Sequence, residues 1–125
     1  MRRVVVTGMG VISPVGNDLE SFWNNLTEGK NGVGMITRFD TTEQKVKVAA
    51  EVKDFEPTKY IEKSQVRKTD LFAQYALAAA VQAMEDAGLK SGENIDAERL
   101  GVYVGSGTGG INTITEQCNK FAQSG

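Results

Sequence analysis

The chain has 125 residues, 40% of them hydrophobic, and its formal net charge is -2. This length suits one globular domain or a piece of one, and the weak negative charge excludes an overall electrostatic footprint for nucleic acid. A single cysteine excludes an intramolecular disulfide, and the sequence has no run of about 18 apolar residues that could span a membrane, so we expect a cytoplasmic protein.

The first two predicted elements are a strand and a helix. Residues 3–7 form a β-branched run that ends at Gly8, which is typical of a buried strand followed by a tight turn. Asn17 is predicted to cap a helix that has a Glu at its third position. Apolar residues then recur at helical spacing over residues 19–26, and Gly29 supplies a left-handed stop.

The middle of the chain predicts a loop, a strand and a long helix. Residues 30–45 are mixed in composition and are predicted to be a loop, and residues 46–52 are predicted to be a second strand. A helix is predicted over residues 64–87, with Gly88 just beyond its end.

This long helix has a narrow polar side and is apolar in nearly every other direction. Its polar residues lie near one i, i+4 line: Asp70, Gln74, Gln82 and Asp86. A helix that is apolar on almost all sides must be enclosed by other elements. We therefore expect covering layers from chain outside these 125 residues, and exposed apolar surface over residues 71–84 in the segment alone.

The last part of the chain predicts a strand over residues 100–104, a glycine-rich turn over 105–110 and an amphipathic helix from Ile111 to Gly125. Strands separated by helices imply an α/β architecture with a mainly parallel sheet.

Two features of this region have a tempting functional interpretation. Gly105, Gly107 and Gly110 satisfy the G-x-G-x-x-G pattern of dinucleotide-binding loops, but the pattern usually follows the first strand rather than the third. Cys118 could be a nucleophile, yet its helical spacing places it on a packing face, and the chain has no histidine to activate it. We expect the glycines to let the backbone pass close to other backbone or to a ligand, and the cysteine to be a core residue.

A cluster of basic residues surrounds the start of the long helix. It comprises Lys59, Lys63, Arg67 and Lys68, relieved only by Glu62. Such a cluster is either a solvated face or a docking surface that orients an acidic partner.

Six segments, spread in order along essentially the whole chain, carry a family resemblance: residues 2–16, 39–40, 52–55, 67–70, 81–84 and 105–110. Together they closely resemble the β-ketoacyl-acyl carrier protein synthases of the type II class. The resemblance implies a thiolase-like α/β fold, with two similar halves stacked as five α/β/α/β/α layers. Residues 1–125 would supply most of the first half, as a partial N-terminal ketosynthase domain.

The resemblance also implies an activity. Such enzymes condense an acyl chain held on a cysteine with malonyl-acyl carrier protein, with loss of carbon dioxide, in fatty acid biosynthesis. The phosphopantetheine arm belongs to the acyl carrier protein partner, so no cofactor or metal is expected on this segment. The intact enzyme is expected to be a homodimer.

The family's catalytic cysteine and two histidines are expected downstream of residue 125, so no catalytic residue is assigned here. Thr108 matches a position that lines the acyl-chain pocket in the family. Arg67 and Lys68 match basic positions that meet acidic helices of the acyl carrier protein, and Lys63 is a neighbouring candidate. Two alternatives stay open, namely a noncatalytic ketosynthase-like binding module and a dinucleotide-binding domain.

Overall fold

Residues 3–124 are described by the computed structural model, and they form four α-helices, a two-stranded sheet and two one-turn 3-10 helices. In chain order, the elements are α1 (Leu19–Thr27), β1 (Val33–Met35), β2 (Val48–Ala50), the 3-10 turn Pro57–Lys59, α2 (Lys63–Val66), α3 (Leu71–Asp86), the 3-10 turn Ala97–Arg99 and α4 (Ile111–Ser124). The predicted helix end at Gly125 lies outside the described residues.

Helix α1 begins one residue later than the sequence predicts. Asp18, not Asn17, is its N-cap, and the Asp18 carboxylate accepts a hydrogen bond from the backbone N–H of Ser21 at 2.7 Å. Asn17 instead donates its side-chain amide to the carbonyl of Lys53 at 2.7 Å. The predicted stop is confirmed, because Gly29 has a φ of 69°.

Strands β1 and β2 form an antiparallel pair in which Val33 lies opposite Ala50 and Met35 lies opposite Val48. The predicted loop over residues 30–45 is therefore wrong at β1, whereas β2 falls inside the predicted strand over 46–52. A three-residue strand with a central glycine is too short for a clear alternating pattern, so its pairing partner decides its structure.

The two other predicted strands are not paired in the structure. Residues 3–7 and 100–104 carry no ladder hydrogen bonds to the rest of residues 3–124, and their side chains are exposed, as shown by Val4 at 96% and Tyr103 at 103%. The predicted parallel sheet is therefore not formed among the described residues, where the only sheet is antiparallel. An apolar run becomes a strand only when partner backbone satisfies its N–H and C=O groups.

The predicted long helix over residues 64–87 is two helices, α2 and α3. The break falls at Asp70, whose backbone is extended (φ -72°, ψ 160°) and which is the N-cap of α3. Gln74 satisfies the free end of α2 by donating its side-chain amide to the carbonyls of Val66 at 3.0 Å and Thr69 at 2.8 Å. Helix α3 ends as predicted, with Gly88 at a φ of 64°.

The polar side of α3 faces inward. Gln82 accepts a hydrogen bond from the backbone N–H of Val11 at 3.0 Å, and its amide donates to the carbonyl of Asn17 at 2.7 Å and the hydroxyl of Tyr60 at 3.0 Å. Its side chain thus joins three parts of the chain. Within the narrow polar line that the sequence shows, Gln82 and Asp86 are the attachment points for the loop that precedes α1.

The backbone of residues 8–10 lies directly on α3. Asp86 accepts a hydrogen bond from the backbone N–H of Met9 at 2.9 Å. A Cβ atom at Gly8 would fall 2.7 Å from the Ala87 Cβ, and one at Gly10 would fall on the carbonyl oxygen of Ala79. Only glycine permits this approach at both positions.

The core of the described chain is small. Ile61 and Ala78 are its buried hydrophobic residues, and Gln74 is its buried polar residue. On α3, Phe72 is 39% exposed and Leu77 is 46% exposed. The prediction of exposed apolar surface over residues 71–84 is confirmed at Phe72 and Leu77, whereas the other large apolar side chains of this segment are half-buried.

Candidate functional site

One cavity of the described chain is open to solvent and has a volume of about 660 Å³. It lies where the β1–β2 hairpin region, the start of α3 and the start of α4 meet. Its lining residues are Ile36, Arg38, Phe39, Ala49, Glu51, Asp70, Leu71, Phe72, Tyr75, Gly109, Gly110, Ile111 and Asn112. Aliphatic and aromatic side chains form most of this wall, so the cavity suits an apolar ligand with a few polar contacts.

The polar groups of this wall are held by hydrogen bonds. Arg38 donates to the hydroxyl of Tyr75 at 2.9 Å, and the Tyr75 ring packs edge-on against Phe55 with centroids 4.9 Å apart. The hydroxyl of Thr37 donates to Glu51 at 2.8 Å and lowers the pKa of that carboxyl below its ordinary value. Glu51 is therefore ionised at neutral pH, and Tyr75 is fixed in orientation.

The glycine-rich loop over residues 105–110 forms the edge of the cavity. Ser106 accepts a hydrogen bond from the backbone N–H of Gly109 at 2.9 Å, and Gly109 has a φ of 66°. Thr108 is exposed and is not among the lining residues, although its neighbour Gly109 is. The structure therefore places Thr108 beside the cavity, and its contact with a ligand stays a prediction.

Asp70 joins the glycine-rich loop to the start of α3. The hydroxyl of Thr113, in the first turn of α4, donates to the Asp70 carboxylate at 2.7 Å. The helix N-terminus is where a dinucleotide-binding loop would hold a phosphate. Because a carboxylate already lies there, a second anion would be repelled, which counts against the dinucleotide alternative.

The predicted basic residues are exposed at and just beyond α2. Lys63 begins α2, Arg67 is its C-cap, and Lys68 follows directly. Within residues 3–124, none of these three side chains is in an ion pair. Arg67 and Lys68 line a groove of about 380 Å³ against α4, on whose far wall Glu116 lies. Lys63 lies one helical turn earlier and outside this groove.

The structure corrects the placement of the cysteine. The sequence predicts Cys118 on a buried packing face, but its thiol is exposed because α4 is exposed along its length. Within residues 3–124, no group of three or more His, Cys, Asp or Glu side chains could hold a metal ion. None of the helices in this part of the chain has the length and apolar character needed to cross a bilayer.

Sequence reasoning missed several residues of the cavity wall. No sequence pattern points to Arg38, Glu51 or Tyr75, because they come from a predicted loop, the end of a predicted strand and the apolar side of a predicted helix. In the sequence, Asp70 belongs to a polar line and to the family segment 67–70, and neither indicates a place in the cavity wall. No local motif connects these positions, since the tertiary structure alone brings them together.

Solved structures define the class of this fold. One that is similar is the ishigamide ketosynthase/chain length factor, at 35% identity and a TM-score of 0.79, covering 98% of this chain and 30% of that one. Another is a type II PKS acyl-carrier protein in complex with its ketosynthase bound to the hexaketide, at 28% identity and a TM-score of 0.73, covering 95% of this chain and 30% of that one. The predicted thiolase-like α/β fold is confirmed.

The sequence assigns the family within this class. Residues 1–124 match the family described as Beta-ketoacyl synthase, N-terminal domain, and the chain belongs to that family. It is 48% identical over 124 residues to 3-oxoacyl-[acyl-carrier-protein] synthase 2 of Vibrio harveyi and 46% identical over 124 residues to the protein of that name from Coxiella burnetii. The chain spans 30% of the length of each of these relatives.

Proposed function

We propose that this chain is the N-terminal part of a 3-oxoacyl-acyl carrier protein synthase, which condenses an acyl chain with malonyl-acyl carrier protein in fatty acid biosynthesis. The observation that carries the proposal is the 48% identity to the Vibrio harveyi synthase over 99% of this chain. Residues 1–125 then form part of its ketosynthase domain, and the intact enzyme is a cytoplasmic homodimer.

The reaction needs groups that these residues do not supply. A cysteine thiolate holds the acyl group as a thioester, and malonyl-acyl carrier protein loses carbon dioxide to give an enolate. The enolate carbon attacks the acyl carbonyl, and the thiolate leaves as the 3-oxoacyl product forms. Since the chain contains no histidine, the family's two histidines belong to residues outside this segment. Cys118 does not lie in the family's catalytic motif, so the catalytic cysteine is assigned outside this segment as well.

The part of this segment in the reaction is binding. The largely apolar cavity beside the glycine-rich loop supports an acyl-chain pocket with Thr108 at its edge. The exposed basic residues Lys63, Arg67 and Lys68 support docking of an acidic partner, because positive charge without an internal ion pair accelerates encounter and orients the approach. In this proposal that partner is the acyl carrier protein, whose phosphopantetheine arm delivers the substrate.

The test is a turnover assay on the full-length protein that contains these residues. Purified protein is mixed with an acyl donor and malonyl-acyl carrier protein, and 3-oxoacyl-acyl carrier protein is measured together with carrier binding. Turnover with binding supports the proposal. Binding without turnover would select the second candidate, a noncatalytic ketosynthase-like module, and absence of both would contradict the proposal.

A further inference from the structure

Asp70 occupies a capping position but does not cap its own helix. It is the N-cap of α3, yet its side chain makes no hydrogen bond to the N–H groups of the first turn of α3. Aspartate is favoured at an N-cap because it normally satisfies one of those groups. The Asp70 carboxylate instead accepts a hydrogen bond from the hydroxyl of Thr113 in α4 at 2.7 Å.

The second carboxylate oxygen of Asp70, Oδ2, lies against the glycine-rich loop. A Cβ atom at Gly110 would fall on the Asp70 Oδ2 atom, so the loop approaches the carboxylate as closely as a glycine allows. We call the pair formed by Asp70 and Thr113, with Gly110 between them, the Asp70–Thr113 clasp. It fixes the start of α4 against the start of α3.

Little else holds this part of the chain. Helix α4 is exposed along its length. Among residues 3–124, the bond from Thr113 to Asp70 is the only hydrogen bond that joins residues 101–124 to the preceding chain. The position of the loop relative to α3 is therefore set chiefly by this one contact.

The clasp also separates two concave surfaces. Asp70 lines both the cavity of about 660 Å³ and the groove that Arg67 and Lys68 form with α4. A movement of the clasp would change the shape of the cavity edge, where Gly109 and Gly110 contribute the wall.

The geometry points to Asp70 as a positioning residue that holds the glycine-rich loop and so limits the acyl chains that the cavity accepts. The chain-length part of this inference rests on the proposed function. The clasp itself does not, because it is a property of the folded chain that can be measured without turnover.

Amide hydrogen exchange of the full-length protein tests the clasp. Thr113→Val removes the hydroxyl at nearly constant shape, and we expect exchange over residues 109–115 to rise by about fivefold or more. Thr113→Ser keeps the hydroxyl and should restore protection. Asp70→Ala should match Thr113→Val, and the double variant should add little.

The control is Asp18→Ala, which removes an N-cap of α1 and should raise exchange only near residues 19–22. Unchanged exchange at 109–115 in Thr113→Val would overturn the clasp, as would a uniform rise over the whole protein. If Asp70→Ala does not fold, the difference in amide exchange over residues 109–115 between Thr113→Val and Thr113→Ser still tests the clasp.

Selectivity for acyl-chain length tests whether the clasp limits the acyl chains that the cavity accepts. We expect Thr113→Val to change the ratio of kcat/KM for long and short acyl donors by about fivefold or more, and Thr113→Ser and Asp18→Ala to leave the ratio as in the wild type. An unchanged ratio with raised exchange would limit the clasp to folding and overturn its role in selectivity. If the wild-type protein does not catalyse the condensation, the proposed function is wrong. The amide exchange over residues 109–115 would still test the clasp in that case.

Discussion

The side-chain carbonyl of Gln82 accepts a hydrogen bond from the backbone N–H of Val11 at 3.0 Å, across 71 residues of sequence. The amide group of the same side chain donates to Asn17 and Tyr60. One residue of α3 therefore holds the loop that precedes α1 and the turn that precedes α2. A helix that is nearly all apolar uses its few polar residues to organise the chain around it.

Replacing Gln82 should destabilise the protein. In Gln82→Leu, the Val11 N–H and the Asn17 carbonyl lose their partner in a half-buried setting, and we expect a loss of about 2 kcal/mol in the free energy of unfolding. Gln123→Leu on exposed α4 is the control and should change it by less than about 0.5 kcal/mol. Urea unfolding measures both, and equal midpoints for the two variants would contradict this interpretation.

The close approach of residues 8–10 to α3 predicts intolerance of any side chain. Gly10→Ala places a methyl group on the Ala79 carbonyl oxygen, so we expect a loss of about 2 kcal/mol or more. Gly101→Ala is the matched control, because no atom lies within 4 Å of its Cβ position, and it should be neutral or slightly stabilising. The melting temperature reports the difference, and a neutral Gly10→Ala would refute the contact.

The corrected cap of α1 predicts a pH dependence. The hydrogen bond from Ser21 lowers the pKa of Asp18 below its ordinary value. Its stabilising contribution is therefore present above the ordinary value of 3.8 and is lost as the pH falls through the lower folded value. Asp18→Asn should keep the free energy of unfolding at pH 7 and should reduce its decrease at acid pH. Asp18→Ala should lower the free energy of unfolding at pH 7 by about 1 kcal/mol. A cap at Asn17 would predict no loss in Asp18→Ala.

Reversing the charge of Arg67 and Lys68 should weaken the binding of acyl carrier protein. In the full-length protein, Arg67→Glu with Lys68→Glu should lower affinity for acyl carrier protein by roughly tenfold or more at low salt and should reduce its salt dependence. Lys45→Glu, an exposed lysine outside this surface, is the control. Unchanged affinity and salt dependence in the double variant would remove docking from the proposal.

The position of Thr108 predicts an effect on chain length. Thr108→Phe adds bulk at the cavity edge, so kcat/KM for long acyl donors should fall by about tenfold while short donors are used as before. Thr27→Phe, at the exposed end of α1, should leave both values unchanged. Equal effects on long and short donors would place Thr108 outside the acyl pocket.

Helices and their ends were predictable from sequence where the signal is local. The stops at Gly29 and Gly88 depend only on a residue that adopts positive φ without strain, and both are confirmed. The family resemblance carried by residues 2–16 and 105–110 gave the fold, which the similarity to ketosynthase structures confirms.

Features that depend on distant contacts were not predictable. No glycine or proline marks the break at Asp70. The hydrogen bond between its carboxylate and Thr113 joins residues 43 positions apart. The predicted strands over residues 3–7 and 100–104 are wrong for the same reason. Both segments have the composition of strands, but neither pairs with another strand among residues 3–124. The Arg38 and Tyr75 pair in the cavity wall has no sequence signature at all.

The mass of the carrier-bound product shows whether the full-length protein catalyses the condensation. Full-length protein is given an acyl donor and malonyl-acyl carrier protein labelled with carbon-13 throughout the malonyl group. We expect a 3-oxoacyl product that has gained two labelled carbons, with one labelled carbon dioxide released per product. Malonyl-acyl carrier protein recovered unchanged, with an intact and carrier-binding protein, would contradict it.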